Sequence, residues 1–340
     1  MNLSDFQQNI PLAPYTTLKI GGPAQYLAIA TKQSELFELL KFLHQNPHLP
    51  QTILGLGSNV VISDSGLKGL TIINKATQIK ITGNSELVTD NFQVTNTQRQ
   101  ENEPEKYLDF NKIDYDESIY STQEVLIQAG TPLPYAINHL FTLGLTGLQW
   151  FSYIPSTIGG AVYQNIHGGK YHFSDYIGSV KVFDLTTGKT KLFRKEELTW
   201  QYETSYFQQH PNLIILSVRL RLFKGDVNLA KQVSTAWIAQ KSLIQPMNSS
   251  GSTFANPSLN DCLPIWGEQK SAGWIIDHEL NLKGFHIGDA QISTLHSNFF
   301  VNTGHATATD YKKLVEHVQN AVYNKFKIKL IPEVKFLGEF

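Results

Sequence analysis

One cysteine in 340 residues, Cys262, leaves no partner for an internal disulfide and excludes a zinc site built from several cysteines. A reducing compartment fits such a chain. An excess of either charge is also missing: 28 basic against 29 acidic residues give a net charge of −1, which offers no attraction to a polyanion or an anionic membrane. Nucleic acid is therefore not expected as a partner. No stretch approaches the ~20 apolar residues needed to cross a bilayer, and the opening MNLSDFQQNIPLAPY has no basic cluster followed by an apolar run. A cytoplasmic protein without membrane association is expected. The 11 histidines show no HxH or HExxH spacing, so no metal site is expected, and no GxSxG elbow or GxGxxG fingerprint occurs. What is present, 41% hydrophobic and 17% charged residues, describes a globular chain long enough for two or three domains.

The apolar pattern alternates between strand and helix spacing. Residues 16–20 and 24–30 read as strands around the Gly21-Gly22-Pro23 break, and from Ser34 as N-cap the residues Leu36, Phe37, Leu39, Leu40 and Leu43 recur at helical spacing. A short strand, Gln51 to Leu54, runs directly into Gly55-Leu56-Gly57-Ser58-Asn59 and the β-branched Val60-Val61-Ile62. Further strands are read at 69–74, 86–90 and 124–130. Between Asp90 and Glu117 stand eight acids and three bases with almost no apolar periodicity, read as a surface insertion over about 89–120, mobile or loosely packed and not central to the fold. A helix over 134–143, a β meander over 177–223 and a helix over 229–244 follow. The last helix, capped near Thr309 or Asp310, places Leu314, Val315, Val318, Val322 and Phe326 on one face, and a final strand, 328–334, carries a single carboxylate, Glu333.

Two turns have the composition to hold a phosphorylated ligand. In Gly55 to Asn59 the glycines let backbone amides converge and Ser58 and Asn59 add donors, the make-up of a pyrophosphate cradle; an ordinary strand-to-strand turn is the alternative. A second small-residue turn, Ile154-Pro155-Ser156-Thr157-Ile158-Gly159-Gly160-Ala161, strengthens the first, because one dinucleotide can be held by two such loops. Ser252 sits in a small-residue turn that could expose its hydroxyl, with no triad partners at a telling spacing. Glu333 follows Pro332 in an apolar run where burial would keep it protonated. The alternatives are a plain turn serine and an ordinary ion-paired glutamate. Residue patterns alone thus reach an α+β protein with two turns suited to a dinucleotide, with ordinary turns as the alternative, and no further.

The order of short blocks adds more. TTLKIGGPA (16–24), LGLGSNV (54–60), IPSTIGGA (154–161), QNI (164–166), SGSTFANP (250–257), AGWIID with LKG (272–277 and 282–284), and HSNF with PEV (296–299 and 332–334) resemble, in this order, the UDP-N-acetylenolpyruvoylglucosamine reductase (MurB) family. The resemblance spans nearly the whole chain apart from the acidic insertion. It implies an α+β fold of the FAD-binding type shared by MurB and vanillyl-alcohol-oxidase-like flavoproteins, with a third α+β substrate domain. The implied division is 1–74 plus 331–340 and 75–226 as the two FAD-binding parts, with 227–330 as the UDP-sugar domain. FAD would lie with its pyrophosphate at Gly55 to Asn59 and its ring system near Ile154 to Gly160. NADPH would reduce FAD, and the enolpyruvyl ether of UDP-N-acetylglucosamine would then take the hydride to become UDP-N-acetylmuramate, a peptidoglycan precursor. The resemblance assigns proton donation to Ser252 and assistance at the carboxylate or enol to Glu333. It makes Tyr202, Lys241 and Asn256 substrate contacts, and implies a monomer.

Departures from the family pattern fall near the chemistry. The family's Tyr-Arg-x-Ser reads Tyr202-Glu203-Thr204-Ser205 here, so an acid stands where a cation would offset the developing charge of the substrate carboxylate. Ser156 replaces a glycine, Ala255 replaces a lysine, and His167-Gly168-Gly169-Lys170 replaces a Gly-Ala-Tyr-Gly turn. Two rescues are open: a cation from elsewhere, such as Lys170 or Lys241, or a Glu203 turned away by a register shift. Besides the reductase, a flavoprotein with a divergent substrate and a non-catalytic paralogue remain as alternative readings.

Overall fold

The computed structural model describes residues 1–83 and 113–340. Among the described residues three larger sheets, of four, five and four strands, follow one another along the chain. In the first, β1 (Gln7–Pro11), β2 (Pro23–Ala30), β3 (Gln51–Leu54) and β5 (Leu67–Asn74) lie in the order β1-β2-β5-β3, with β1 antiparallel to β2 and the other pairs parallel. Parallel strands of one sheet need a crossover, supplied between β2 and β3, which flank β5, by α1 (Gln33–Gln45). Its buried Leu36, Leu39, Leu40 and Leu43 meet Ala30, Leu70 and Ile72 below and Phe183 and Leu216 of the second sheet above. At about 1.5–3 kcal/mol per buried leucine, this one helix face fastens the two sheets together.

The second sheet is wholly antiparallel: Lys189–Arg194, Ile177–Asp184, Leu213–Phe223, β7 (Thr122–Gln128) and β6 (Ile79–Ile81), in that order. The third is formed by Ser249–Ser252, Phe299–Asn302, Ala290–Ile292 and His286–Ile287. The helix Ala308–Phe326 buries Leu314, Val315, Val318 and Val322 in a cluster shared by Ile292 and Phe300 of this sheet and by Leu18, Ile20 and Val61 of the N-terminal part. The strand Lys335–Leu337 then returns to pair in parallel with β4 (Val60–Ile62).

Several boundaries differ from the sequence reading, each for a local reason. Residues 16–20 form no strand: Lys19 takes a left-handed φ of 56° and the Thr16 hydroxyl donates to the Ile20 carbonyl at 3.0 Å, closing a turn, while the first strand lies earlier at β1. The first helix is capped at Lys32, not Ser34, because the Glu35 carboxylate accepts the Thr31 and Lys32 amides at 2.8 and 3.2 Å. The last helix is capped by Thr307, whose hydroxyl accepts the Asp310 amide at 3.0 Å, with a second cap from Asp64 on the Ala308 and Thr309 amides at 2.7 and 2.9 Å. Residues 328–334 are not a strand; the ladder begins only after Pro332 and Glu333, at Lys335. Of the insertion read over about 89–120 and of the strand read at 86–90, residues 84–112 lie outside the described residues. The end of that insertion is integral to the fold: Ile113, Tyr115 and Tyr120 pack against the second core, and the buried Glu117 accepts hydrogen bonds from the Thr146 hydroxyl at 2.5 Å and the Gln149 amide at 2.8 Å.

Candidate active site

The Gly55 to Asn59 loop does not turn between neighbouring strands of one sheet. It passes from β3 in the first sheet to β4 beside the C-terminal strand, so its backbone is spent on no hairpin, and the Lys335 amide donates to the Asn59 carbonyl at 3.0 Å to anchor its far end. Gly57, at φ 60°, lies where a Cβ would fall 2.3 Å from the Tyr15 carbonyl oxygen. On Gly55 a Cβ would fall 2.5 Å from Thr157 Oγ1, so this loop and the second small-residue turn are in direct contact. Bulk at this junction is excluded.

The second turn is fixed by its main chain. The Leu133 amide donates to the Ser156 carbonyl at 2.8 Å, the Ile158 amide to Thr131 at 2.9 Å and the Gly159 amide to Ala129 at 2.8 Å. Thr157 caps the helix Ile158–Gln164, its hydroxyl accepting the Gly160 amide at 3.1 Å. Both turns open onto one cavity of about 690 Å³. Every residue from Gly55 to Asn59 lines it, as do Ile154, Pro155, Ser156, Thr157, Gly159 and Gly160. Ala161 does not: the helix turns it into the apolar core, where it is fully buried.

The acid–base groups line the same cavity. Gly251 at φ 81° and a register shift before Ser252 displace the strand Ser249–Ser252 from a regular ladder, and no hydrogen bond engages the Ser252 hydroxyl among the described residues. Behind it the Tyr311 hydroxyl lies 3.0 Å from Ser250 Oγ, and the Asn298 side chain accepts the Phe254 amide at 3.0 Å while donating to the Phe254 carbonyl at 2.8 Å. Residues after Ile328 run extended beside this strand: the Glu333 amide donates to the Thr253 carbonyl at 2.9 Å and the Ala255 amide to Ile331 at 2.9 Å. Main-chain pairing thus brings together positions 252 and 333, 81 residues apart, on the cavity wall.

Glu203 does not turn away. It sits at φ 48° in the turn between the paired strands Trp200–Gln201 and Thr204–Ser205, lines the cavity, and places Oε1 3.0 Å from His167 Nδ1. Its carboxyl also hydrogen-bonds that of Glu333. Burial alone would raise both acids. For Glu203 the hydrogen bond and charge of His167, then the bond from Glu333, outweigh it and hold the group below its usual range. Glu333 has burial and the Glu203 charge acting in the same direction and is pushed up to about 9, only Lys335 opposing. One member of the pair is anionic and the other keeps its proton at neutral pH.

Tyr202, Lys241 and Asn256 also line the cavity. The Lys241 ammonium lies 4.4 Å over the Trp237 ring, and Asn256 Oδ1 accepts the Ala272 amide at 3.0 Å, fixing the loop that carries it. Of the two cations offered in place of the family arginine, Lys170 pairs with Asp114 and does not line the cavity, whereas Lys241 does. Sequence reasoning missed His167 as a site residue. Its 36-residue separation from Glu203 leaves no motif, and the only signal was an imidazole placed in a glycine-rich turn directly after the QNI block. Among the described residues no cluster of metal-ligating side chains occurs, and no helix is long and apolar enough to cross a membrane.

Comparison with known proteins agrees with this layout. The C-terminal domain model of UDP-N-acetylenolpyruvoylglucosamine reductase matches residues 244–337, the segment bearing Ser252 and Glu333. An FAD binding domain model matches residues 100–193, which include the Ile154 to Gly160 turn. A UDP-N-acetylenolpyruvoylglucosamine reductase of Parasynechococcus marenigrum is 35% identical over 98% of this chain and 96% of its own. Another from Synechococcus sp. (strain RCC307) is 33% identical over 99% and 95%. The crystal structure of the UDP-N-acetylenolpyruvylglucosamine reductase from Thermus caldophilus superposes with a TM-score of 0.69 at 28% identity, covering 97% of this chain and 98% of that one. Likeness of this extent does not favour a divergent flavoprotein or a non-catalytic paralogue. With relatives at this identity along its full length, the chain belongs to the UDP-N-acetylenolpyruvoylglucosamine reductase family of FAD-dependent oxidoreductases.

Proposed function

We propose that this protein reduces the enolpyruvyl ether of UDP-N-acetylglucosamine to UDP-N-acetylmuramate, a step of peptidoglycan precursor synthesis, with FAD as cofactor and NADPH as reductant. The observation that carries this reading is the single cavity shared by the two touching glycine turns and by Ser252 and Glu333. Its volume of about 690 Å³ suits an extended ligand held by two turns. Residues Gly55 to Asn59 would hold the pyrophosphate, and residues Ile154 to Gly160, without Ala161, would border the ring system. When bound, FAD supplies hydride to C3 of the enolpyruvyl group.

The chain's own groups serve what that addition leaves behind. Negative charge spreads from C2 onto the substrate carboxylate, and C2 needs a proton. Ser252, on its displaced strand, would deliver that proton, and the protonated Glu333 would donate a hydrogen bond to the carboxylate or enol as charge builds. Lys241 and Asn256 would meet the diphosphate and uridine, and Tyr202 the sugar side of the cleft. The three sheets support a division into 1–74 plus 331–340, 75–226 and 227–330, with the second core joined to the first through α1 and the third through Leu18, Ile20 and Val61. A monomer in the cytoplasm completes the reading. Anaerobic mixing of NADPH-reduced protein with the UDP-linked enolpyruvyl sugar tests it: oxidised flavin should return in proportion to substrate, and flavin that stays reduced would reject the activity.

A further inference from the structure

Three groups from separate parts of the chain form a row along one wall of the cavity. His167 lies on the short strand His167–Gly168, Glu203 on the tip of its hairpin, and Glu333 on the extended segment before the C-terminal strand. His167 Nδ1 stands 3.0 Å from Glu203 Oε1, and the Glu203 and Glu333 carboxyls hydrogen-bond. The hairpin pays for this orientation with a left-handed, non-glycine residue, a conformation that neighbouring structure must hold in place. It is held: the Gln208 side chain donates to the Glu203 carbonyl at 3.0 Å, and the Asn165 side chain donates to the Gln201 carbonyl at 2.8 Å.

Two half-buried carboxyls in hydrogen-bond contact cannot both ionise cheaply, so they share one proton, and the neighbour of each decides which keeps it. The His167 ring, with Nδ1 3.0 Å from Glu203 Oε1, favours the anion there. Among the described residues the cation acting on Glu333 is Lys335, two residues further along the chain. We infer that Glu203 is a positioning residue that couples His167 to Glu333: His167 holds Glu203 ionised, and Glu203 in turn keeps the proton on Glu333. This role rests on the reductase reading for its use in turnover, though the proton sharing itself does not.

The assignment explains how an acid can stand at a position where a cation is expected without ruining the site. Glu203 does not face the reacting centre as a bare charge. Its charge is spent on one side against His167 and on the other against the proton of Glu333. The other titratable groups around the row are Tyr202, whose hydroxyl lies 3.4 Å from His167 Nε2, and His172, whose ring centre lies 6.4 Å from that of His167. Burial keeps His172 below its usual range, so it adds little positive charge at neutral pH.

The test is a pair of opposite shifts. In the FAD-loaded protein, turnover of the UDP-linked enolpyruvyl sugar should lose activity at alkaline pH as Glu333 deprotonates. In Glu203→Gln the carboxylate that retains the proton is gone, and this alkaline limb should move toward neutrality by about one pH unit or more, a tenfold loss at a fixed pH on the limb. In His167→Ala, Glu203 is the poorer anion, the pair binds its proton more tightly, and the limb should move the other way. Limbs that coincide with wild type, or that move together, would overturn the inference. Infrared titration of the FAD-loaded wild type reads the same proton without turnover. A protonated-carboxyl band should persist through neutral pH and vanish in Glu333→Gln; its absence at neutral pH would overturn the inference even if either variant fails to fold. Failure of the sugar to reoxidise flavin, with the band present, would instead reject the reductase reading alone.

Discussion

Replacing Glu333 by glutamine should change how stability depends on pH more than it changes stability itself. In the folded protein the Glu333 carboxyl titrates at about 9, against an ordinary value of 4.5, because burial and the neighbouring Glu203 both oppose its ionisation. Between those values the folded state holds a proton that the unfolded chain has released. Unfolding then releases about one proton, and stability falls as pH rises, by up to ~1.4 kcal/mol per pH unit. The contribution is complete below the unfolded value and is lost as pH climbs through the folded one. From about pH 6 to pH 8 the full effect would reach ~2.7 kcal/mol; residual exposure of the side chain and sharing of the proton with Glu203 reduce this to roughly 1–2 kcal/mol. Glutamine retains a donor toward Glu203 and does not titrate. Urea unfolding of wild type and Glu333→Gln, each in the same excess of FAD at several pH values, gives the difference directly. The wild type should lose stability relative to the variant across this range. Parallel pH profiles for the two proteins would refute the buried, protonated Glu333.

Three other outcomes follow from the same geometry. Gly55→Val drives a branched side chain into Thr157 Oγ1, which a Cβ alone would approach to 2.5 Å, so the two turns must part and FAD affinity measured by flavin fluorescence should fall at least about tenfold while the far-ultraviolet dichroism stays native; unchanged affinity would mean the contact is irrelevant to the cofactor. Ser252→Ala should slow reoxidation of reduced flavin by the enolpyruvyl sugar by roughly 10²–10⁴-fold and leave reduction by NADPH intact, and equal losses in both half-reactions would count against a proton donor at this position. Asp64→Ala removes the carboxylate that caps the last helix from 244 residues away and should cost about 1–2 kcal/mol in urea unfolding near neutral pH. Although burial opposes it, hydrogen bonds from the Thr309 hydroxyl and the two amides depress the Asp64 pKa below its ordinary 3.8, so that cost should shrink only as pH falls below this value; a cost that is constant into strong acid would contradict the assignment.

The glycine turns were legible because their chemistry is local: a run such as Gly55-Leu56-Gly57-Ser58-Asn59 limits its own backbone whatever surrounds it. What composition alone left open was contact between the two turns, which depends on β4 leaving its neighbour β3 for the C-terminal strand. The Gly159-Gly160-Ala161 sequence extends the second turn to Ala161 on paper, but Thr157 caps a helix there, and helical geometry rotates the residue four positions on into the core. The sequence reading starts the final strand seven residues early because 328–334 is as apolar as a strand; the partner of this segment is the stretch after Ser252, and the pairing lends Glu333 to the site without forming a ladder. Glu117 shows the opposite error. Acidic surroundings mark it as surface, but the Thr146 and Gln149 side chains, distant in sequence, join the neighbouring Tyr115 hydroxyl in hydrogen-bonding its buried carboxylate. His167 escapes for the same reason: its partnership with Glu203, a position the sequence does single out, is made by two separate hairpins and by no spacing along the chain.

The central claim is spatial, and a crystal structure of the protein grown with FAD tests it most directly. Electron density should place the pyrophosphate against the amides of Gly55 to Asn59, the flavin ring beside Ile154 to Gly160, and its reactive edge toward the Ser252 hydroxyl with Glu333 alongside. Density for FAD outside this cavity, or a flavin ring turned away from Ser252, would contradict the account.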